Sequence, residues 1–525
     1  MAKYYLVEYD EGCFAMANYA PFNPQQIWLI PPDPSERLRS DHIAFAIYAA
    51  VEHLDVTPLM KDSRDMGQEA YHPRLLLMLL LLGFAKGSRS SREMEELART
   101  DIAAIFLCGG AIPDHSTIAR FRRNSAKAIE DMFTLVLMAC SAAGLTDFGE
   151  VALDGTKIRS SASRRKGGSV GKLERRVQHL RQSARELMGQ AEAADIEAES
   201  KASLQKAAKS KEKLAQDIST EIERFKDEAK ANGREVTADT YLNISDPDCR
   251  QMKAANGSTI HGYNAQAVVD TKTGIIVAAD LVQTAVDMPL GPQMLDQVLD
   301  NREKCQPAKD AQEVRELVVV ADAGFDTREN TKHIASKEGV VGIINYTSAS
   351  SKAEYQKCHF DYDGEEDAYI CPKTGKLLKR RKSVKPPKGG VVYYACDFRD
   401  CPYRAACTSL QKRKPKSTAS VPPSVDGTSA TPEAKPRKPR WPAVRVITRQ
   451  PDDHLRDAAK ALVKSPEGQA ALKRRRTTIE TLWANFKWNH HFRRFLLRGL
   501  IHNKGEFLLA CTASNIFRLG RAMVS

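Results

Sequence analysis

Two apolar runs in this chain lead into an aspartate. Within Glu150 to Ile158 a short apolar strand ends in a carboxylate, Asp154, followed by Gly155, where a glycine permits a turn or a close backbone approach. Leu317 to Val320 is a run of the kind buried on both faces, with Asp322 at its exit, Gly324 loosening the turn and Thr327 placed to cap the next helix. Further strand signals stand at Gly262 to Val269 and Gly274 to Val282, around the turn AspThrLysThrGly, and again at Gly339 to Asn345, with a helix capped near Asp287 in between. Strands alternating with helices in this way predict an α/β fold, a mixed sheet flanked by helices. A lone aspartate at a strand end is most often a cap or a turn residue, so Asp154 and Asp322 gain meaning only through partners.

A third carboxylate sits in very different surroundings. On a helix through Ala471 to Gly499, Arg476, Glu480, Trp483 and Lys487 share one face, and Leu472, Ile479, Leu482 and Phe486 gather on an adjacent one. Taken alone, Arg476 and Glu480 read equally well as a solvated i,i+4 pair. Their company argues for more: Lys473 to Arg476 precede the glutamate, and Lys487, Trp488, His490, His491, Arg493, Arg494 and Arg498 follow it. Cations interleaved with aromatics suit a strand of nucleic acid.

Charge points the same way. The 79 Lys and Arg exceed the 66 Asp and Glu, giving a net charge of +13 and a pI near 9.1, which favours a polyanionic partner over an acidic small molecule. With 525 residues, 42% of them hydrophobic, the chain is long enough for several domains with real cores. The longest apolar run, Leu75 to Leu82, is too short to cross a bilayer of about 30 Å, and no basic-then-apolar export signal opens the chain. The expectation is a soluble intracellular protein. Eleven cysteines, an odd number and mostly scattered, speak for a reducing compartment.

The remaining segments divide by composition. Residues 1–36, rich in proline and aromatics, read as an arm. Residues 37–145 read as a helical N-terminal domain, with helices over Ile43 to Leu54, His72 to Phe84, Ser91 to Arg99 and Ser116 to Ala128, the last capped by Asp114 or Ser116. There Thr117, Arg120, Arg122 and Arg123 could face phosphates in a helix-turn-helix-like reader, or the segment could be an ordinary helical bundle. The loop after Asp154, Arg159 to Lys166, is small, basic and hydroxyl-rich, able to meet phosphate oxygens. Residues 170–232 read as a helical hairpin or coiled-coil-like insertion, most simply a solvated arm. Within 347–450, Cys371, Cys396, Cys401 and Cys407 could form a tetrahedral thiolate Zn²⁺ site, or remain reduced structural thiols; Lys412 to Pro442 reads as a basic disordered linker.

Around Glu480 the spacing resembles a known signature. Insertion-sequence transposases of the acidic-triad (DDE) class carry Tyr-x2-Arg-x3-Glu-x6-Lys about their catalytic glutamate; Arg476, Glu480 and Lys487 match three positions, and Lys473 stands where the family has tyrosine. AspProAspCysArgGlnMetLys (246–253) and GlyTyrAsnAlaGln (262–266) resemble blocks of the same family, and the cysteine-bearing insertion is similar to that of its eleven-eighty-two group. The resemblance runs from about residue 40 to 520. It implies an RNase H-like core from 146–346 and 451–525, with a helical N-terminal domain that binds the element's terminal repeats. Asp154, Asp322 and Glu480 would be the catalytic acids, chosen by family order over Asp270, Asp280 and Asp326. Two Mg²⁺ or Mn²⁺ ions would be held by these acids, with Arg476, Lys487, Lys473 and Arg159 along the DNA. The partners implied are terminal inverted repeats, target DNA and at least a second copy of the chain, in a prokaryotic cytoplasm at the nucleoid.

Three acids from separate elements make chemical sense for phosphodiester cleavage, since hard divalent ions want carboxylate and water ligands. Two rival readings share the features: a metal-dependent nuclease that cuts without joining, and a catalytically silent DNA-binding protein derived from a transposase.

Overall fold

A computed structural model describes residues 33–522 except 53, 60–69, 193–197, 232, 234, 255–256, 307–315, 346–356, 382–391, 396–400, 404–406 and 408–445. Six helices come first: α1 (Ile43–Glu52), α2 (Pro73–Ala85), α3 (Ser91–Thr100), α4 (Ile102–Leu107), α5 (His115–Asn124) and α6 (Ala126–Ala142). The strand β1 (Glu150–Arg159) and the short pair β2 (Gly167–Ser169) and β3 (Tyr241–Asn243) bracket the hairpin α7 (Val170–Glu192) and α8 (Ala198–Ala231). Then follow β4 (Arg250–Lys253), β5 (Thr259–Asp270), β6 (Ile276–Val282), α9 (Gly291–Cys305), β7 (Leu317–Ala321), α10 (Arg328–Ala335) and β8 (Val340–Ile344). A second sheet of β9 (Asp361–Asp363), β10 (Ala368–Ile370), β11 (Leu377–Arg380), β12 (Val392–Ala395) and β13 (Val446–Arg449) precedes α11 (Asp453–Lys464), α12 (Pro466–Ala484) and α13 (Leu500–Ala522).

The main sheet has the order β4-β5-β1-β7-β8, with β6 also on β5. It is mixed: β1 is antiparallel to β5 and parallel to β7, and β7 is parallel to β8. This mixed α/β architecture fits an RNase H-like core. One expectation needs correcting: β1 does not stop at Asp154 but runs on to Arg159. The cause is β5, which pairs with it from Val151↔Asp270 to Arg159↔Gly262 and keeps the backbone extended beyond the carboxylate.

Among the helices, the span read from Ser116 to Ala128 is two elements. Asp114 caps α5 by accepting from the amides of Ser116 and Thr117, but the chain leaves helical geometry at Ser125, whose hydroxyl donates back to the Phe121 carbonyl at 2.8 Å. The N-terminal helices are not a separate body. Buried residues of α1, α2 and α6 form one continuous apolar core with β1, β5, β6 and α13. The centre of that core is α13, which packs on α1, α2, α6 and β6 and buries Phe507, Leu509, Cys511 and Ile516 completely. The hairpin instead has its own small core of Leu173, Val177, Ile218, Ile222 and Phe225. No described helix is long and apolar enough to cross a membrane.

Candidate active site

Register brings the two aspartates together. In the parallel pair, Leu153 of β1 stands opposite Ala321 of β7, so the next residues, Asp154 and Asp322, lie side by side, the first midway along β1 and the second at the carboxyl end of β7. In open α/β sheets ligands bind at the carboxyl ends of the strands. Alternation along the strands sends Leu153, Val319 and Ala321 towards α9 and α10, and Asp154, Thr156 and Val320 to the opposite face, which α12 covers.

From α12 comes a residue the sequence reading missed. The Arg475 guanidinium, nearly buried, lies 3.2 Å from Asp154 Oδ1 and 3.9 Å from Asp322 Oδ2, and its Nε donates to the Leu153 carbonyl at 3.3 Å. Motif spacing drew attention to Arg476, which is exposed. The signal for Arg475 was nonetheless present: Ala471, Arg475, Ile479, Leu482 and Phe486 form a single helical stripe, and all are buried. Burial pushes the Asp154 carboxyl up to about 6, opposed by Arg475 and reinforced by Asp322.

Lys487 arrives from the π-helical turn Asn485–Asn489 that closes α12, a local widening common at functional sites. Its ammonium donates to the Thr156 hydroxyl; burial lowers its pKa, while the charge of Asp154 opposes that. Glu480 lies on the exposed side of the same helix. Five residues beyond Arg475, it is turned by about 140° around the axis, and its side chain has no hydrogen bond or ion pair among the described residues. Among those residues no three His, Cys, Asp or Glu side chains stand close enough to hold a metal ion. The two aspartates thus meet across a guanidinium, without Glu480.

The competing acids are engaged elsewhere. Asp270 accepts from the Thr146 hydroxyl and from the turn amides of Lys272 and Thr273. Asp280 pairs with Lys504 at 3.1 Å, and Asp326 with Arg456 at 2.7 Å. On the other face of β1, Asp287 is held by Lys157 at 2.8 Å and by the amides of Asn264 and Gln266, both at 2.7 Å. Gly155 makes room for this cluster, since a Cβ there would fall 2.1 Å from Gln266 Nε2.

The basic residues separate. Lys473, Arg476, Arg120, Arg123 and Arg159 are exposed, and the Arg159 backbone pairs with the segment after α12, its carbonyl accepting from Phe495 at 2.8 Å. Arg122, read as facing phosphate, is instead turned inward: it is 5% exposed and donates to the Arg89 carbonyl at 2.8 Å. Position i+4 from Ile118 puts it on the buried side of α5. Trp488 is 65% exposed beside Lys487, with the Arg493 guanidinium 3.7 Å over its ring. Cys371, Cys401 and Cys407 are partly buried and in no disulfide, and the first and last pack against the aromatic core of the second sheet. Cys396, the 412–442 linker and nearly all of the 1–36 arm lie outside the described residues.

The family model described as Transposase DDE domain matches residues 245–516, just over half of the chain. The chain belongs to the DDE transposases. A second model, Transposase domain (DUF772), matches residues 32–124, which span α1 to α5. No curated protein and no solved structure matches. The DDE match begins after β1, yet β1 pairs between β5 and β7, so Asp154 shares the transposase's sheet with Asp322. Membership implies DNA as the substrate and dependence on a divalent metal.

Proposed function

We propose that this transposase cuts DNA at the ends of its element and joins the freed 3′-hydroxyl to target DNA, with Asp154, Asp322 and Glu480 as its acids. In the first step water adds to phosphorus and the P–O3′ bond breaks. In the second the released 3′-oxygen attacks a target phosphodiester and displaces the target's own 3′-oxygen. The observation that supports the reading is the β1/β7 register, which sets Asp154 beside Asp322 where β7 ends. Their converging carboxylates offer the hard oxygen donors that Mg²⁺ or Mn²⁺ takes. Two such ions, when bound, supply charge neutralisation at the phosphate and an activated water. Glu480, on the exposed side of α12, is the third acid by the spacing Arg476-x3-Glu480-x6-Lys487.

Lys487 reaches the same face and holds a phosphate next to Thr156. Lys473, Arg476, Arg159 and the exposed Trp488 line the approach, the indole offering a base a stacking surface. Arg120 and Arg123 on α5 give residues 37–145 their contact with terminal repeats. Pairing two ends calls for at least a homodimer. Cys371, Cys396, Cys401 and Cys407, within 347–450, hold a structural Zn²⁺, and the chain falls in the eleven-eighty-two group. In support, the amides of Lys373 and Thr374 and the Thr374 hydroxyl bond to the Cys371 sulfur and lower its pKa despite burial.

Labelled terminal-repeat DNA incubated with the protein and Mg²⁺ tests the reaction. Joined products are expected; cut ends alone would indicate a nuclease, and retention without cutting a silent binder. Asp154→Asn, Asp322→Asn and Glu480→Gln should each abolish cutting and leave DNA retention largely intact, and substantial cutting by any of them removes that residue from the site. For the cysteines, elemental analysis should find zinc in the purified chain and its loss in Cys371→Ser or Cys407→Ser.

A further inference from the structure

The guanidinium of Arg475 occupies the space between the two aspartates. It is 10% exposed, 3.2 Å from one carboxylate and 3.9 Å from the other, and tied to the carbonyl of Leu153, the residue before Asp154. Two nearby cations are engaged elsewhere: the Lys487 ammonium donates to the Thr156 hydroxyl, and Arg474 is paired with Glu150 at 2.9 Å. Arg475 is therefore the cation that offsets the mutual repulsion of Asp154 and Asp322.

We propose that Arg475 is an internal counter-ion, which keeps the two aspartates together when no metal is bound and must leave them for a divalent ion to enter, handing its guanidinium to a DNA phosphate. This inference rests on the reading of Asp154 and Asp322 as metal ligands. The physical reason is competition. A planar guanidinium bridging two carboxylates uses the same oxygens a divalent ion needs, and a positive charge at that distance repels the ion. Phosphate is the other acceptor that matches the guanidinium fork, so DNA offers Arg475 an alternative place. Arg475 is on this account a positioning residue: in the absence of DNA it keeps the carboxylates ordered and poorly receptive to metal.

Mn²⁺ binding to the full chain without DNA, followed by the electron paramagnetic resonance signal of the free ion, tests this directly. Arg475→Gln should bind Mn²⁺ about tenfold or more tightly than the wild type, and Mn²⁺ should raise its thermal midpoint further. Unchanged or weaker binding by the folded variant overturns the proposal. If the glutamine variant fails to fold, Arg475→Lys, whose point charge cannot span both carboxylates, should still bind Mn²⁺ more tightly than the wild type, and failure to do so overturns the proposal equally. Asp154→Asn separates the two ideas. Mn²⁺ binding insensitive to Asp154→Asn overturns the metal-site reading as well, whereas sensitivity to it with no gain from Arg475→Gln overturns the counter-ion alone. With a short duplex added, and its own Mn²⁺ binding subtracted, wild type and Arg475→Gln should converge; a gap that persists overturns the handover to phosphate.

Discussion

Asp154 is a buried acid whose proton is held more firmly in the folded chain than in the unfolded one, at about 6 against an ordinary 3.8. A group raised in this way contributes its stability in full below about 3.8 and loses it as pH rises through about 6. The loss amounts to about 3 kcal/mol at roughly 1.4 kcal/mol per pH unit. Denaturant unfolding in the presence of a chelator should therefore show stability falling between those pH values, and Asp154→Asn, which keeps the shape without the charge, should remove most of that slope. An unchanged slope in the variant would mean that it arises from other titrating groups and not from Asp154. At this scale the sequence made the two strands legible, and with them the neighbouring positions of Asp154 and Asp322, because short apolar runs with Val151, Val318, Val319 and Val320 suit a buried sheet. It was a poor guide to Arg475 and Arg122. Adjacent arginines differ by about 100° around a helix, and only the packing of the stripe Ala471, Ile479, Leu482 decides which one turns inward.

The hairpin of α7 and α8 shows how an element can be large and still peripheral. Its core is separate from the main one, and its two ends meet where Ser169 pairs directly with Tyr241 across β2 and β3. Replacing residues 170–240 with a two-residue Asn-Gly turn, which suits an antiparallel pair, should leave a folded chain with a single cooperative transition, checked by circular dichroism and a thermal scan. Collapse of the fold would show that the hairpin supports the sheet. Composition alone made this insertion legible, since runs of Glu, Lys and Ala with sparse Leu and Ile have little else to form. The length of β1 was less legible, because the strand's extension beyond Asp154 is imposed by β5, a partner whose pairing no local pattern in 150–159 encodes.

The boundary drawn at about residue 145 does not exist as a gap in the packing, since α13 binds the N-terminal helices and the sheet into one core. At its middle, buried Glu506 pairs with buried Arg89 and accepts from the amides of Leu496 at 3.0 Å and Leu497 at 3.1 Å. Arg89 in turn donates to the carbonyls of His491 at 2.9 Å and Arg494 at 2.7 Å, which fixes the basic segment after α12. Glu506→Gln leaves Arg89 buried without its counter-charge and should cost about 3 to 5 kcal/mol, read as one shifted transition in denaturant rather than as two separating domains. Periodicity could name each helix but not this union, because the contacts join residues hundreds of positions apart. The union has a bearing on biosynthesis. A nascent polypeptide that has not yet emerged as far as residues 500–522 has nothing to seal α1, α2 and α6 against the sheet, so an interrupted translation product carries Asp154 and Asp322 but no closed core to align them.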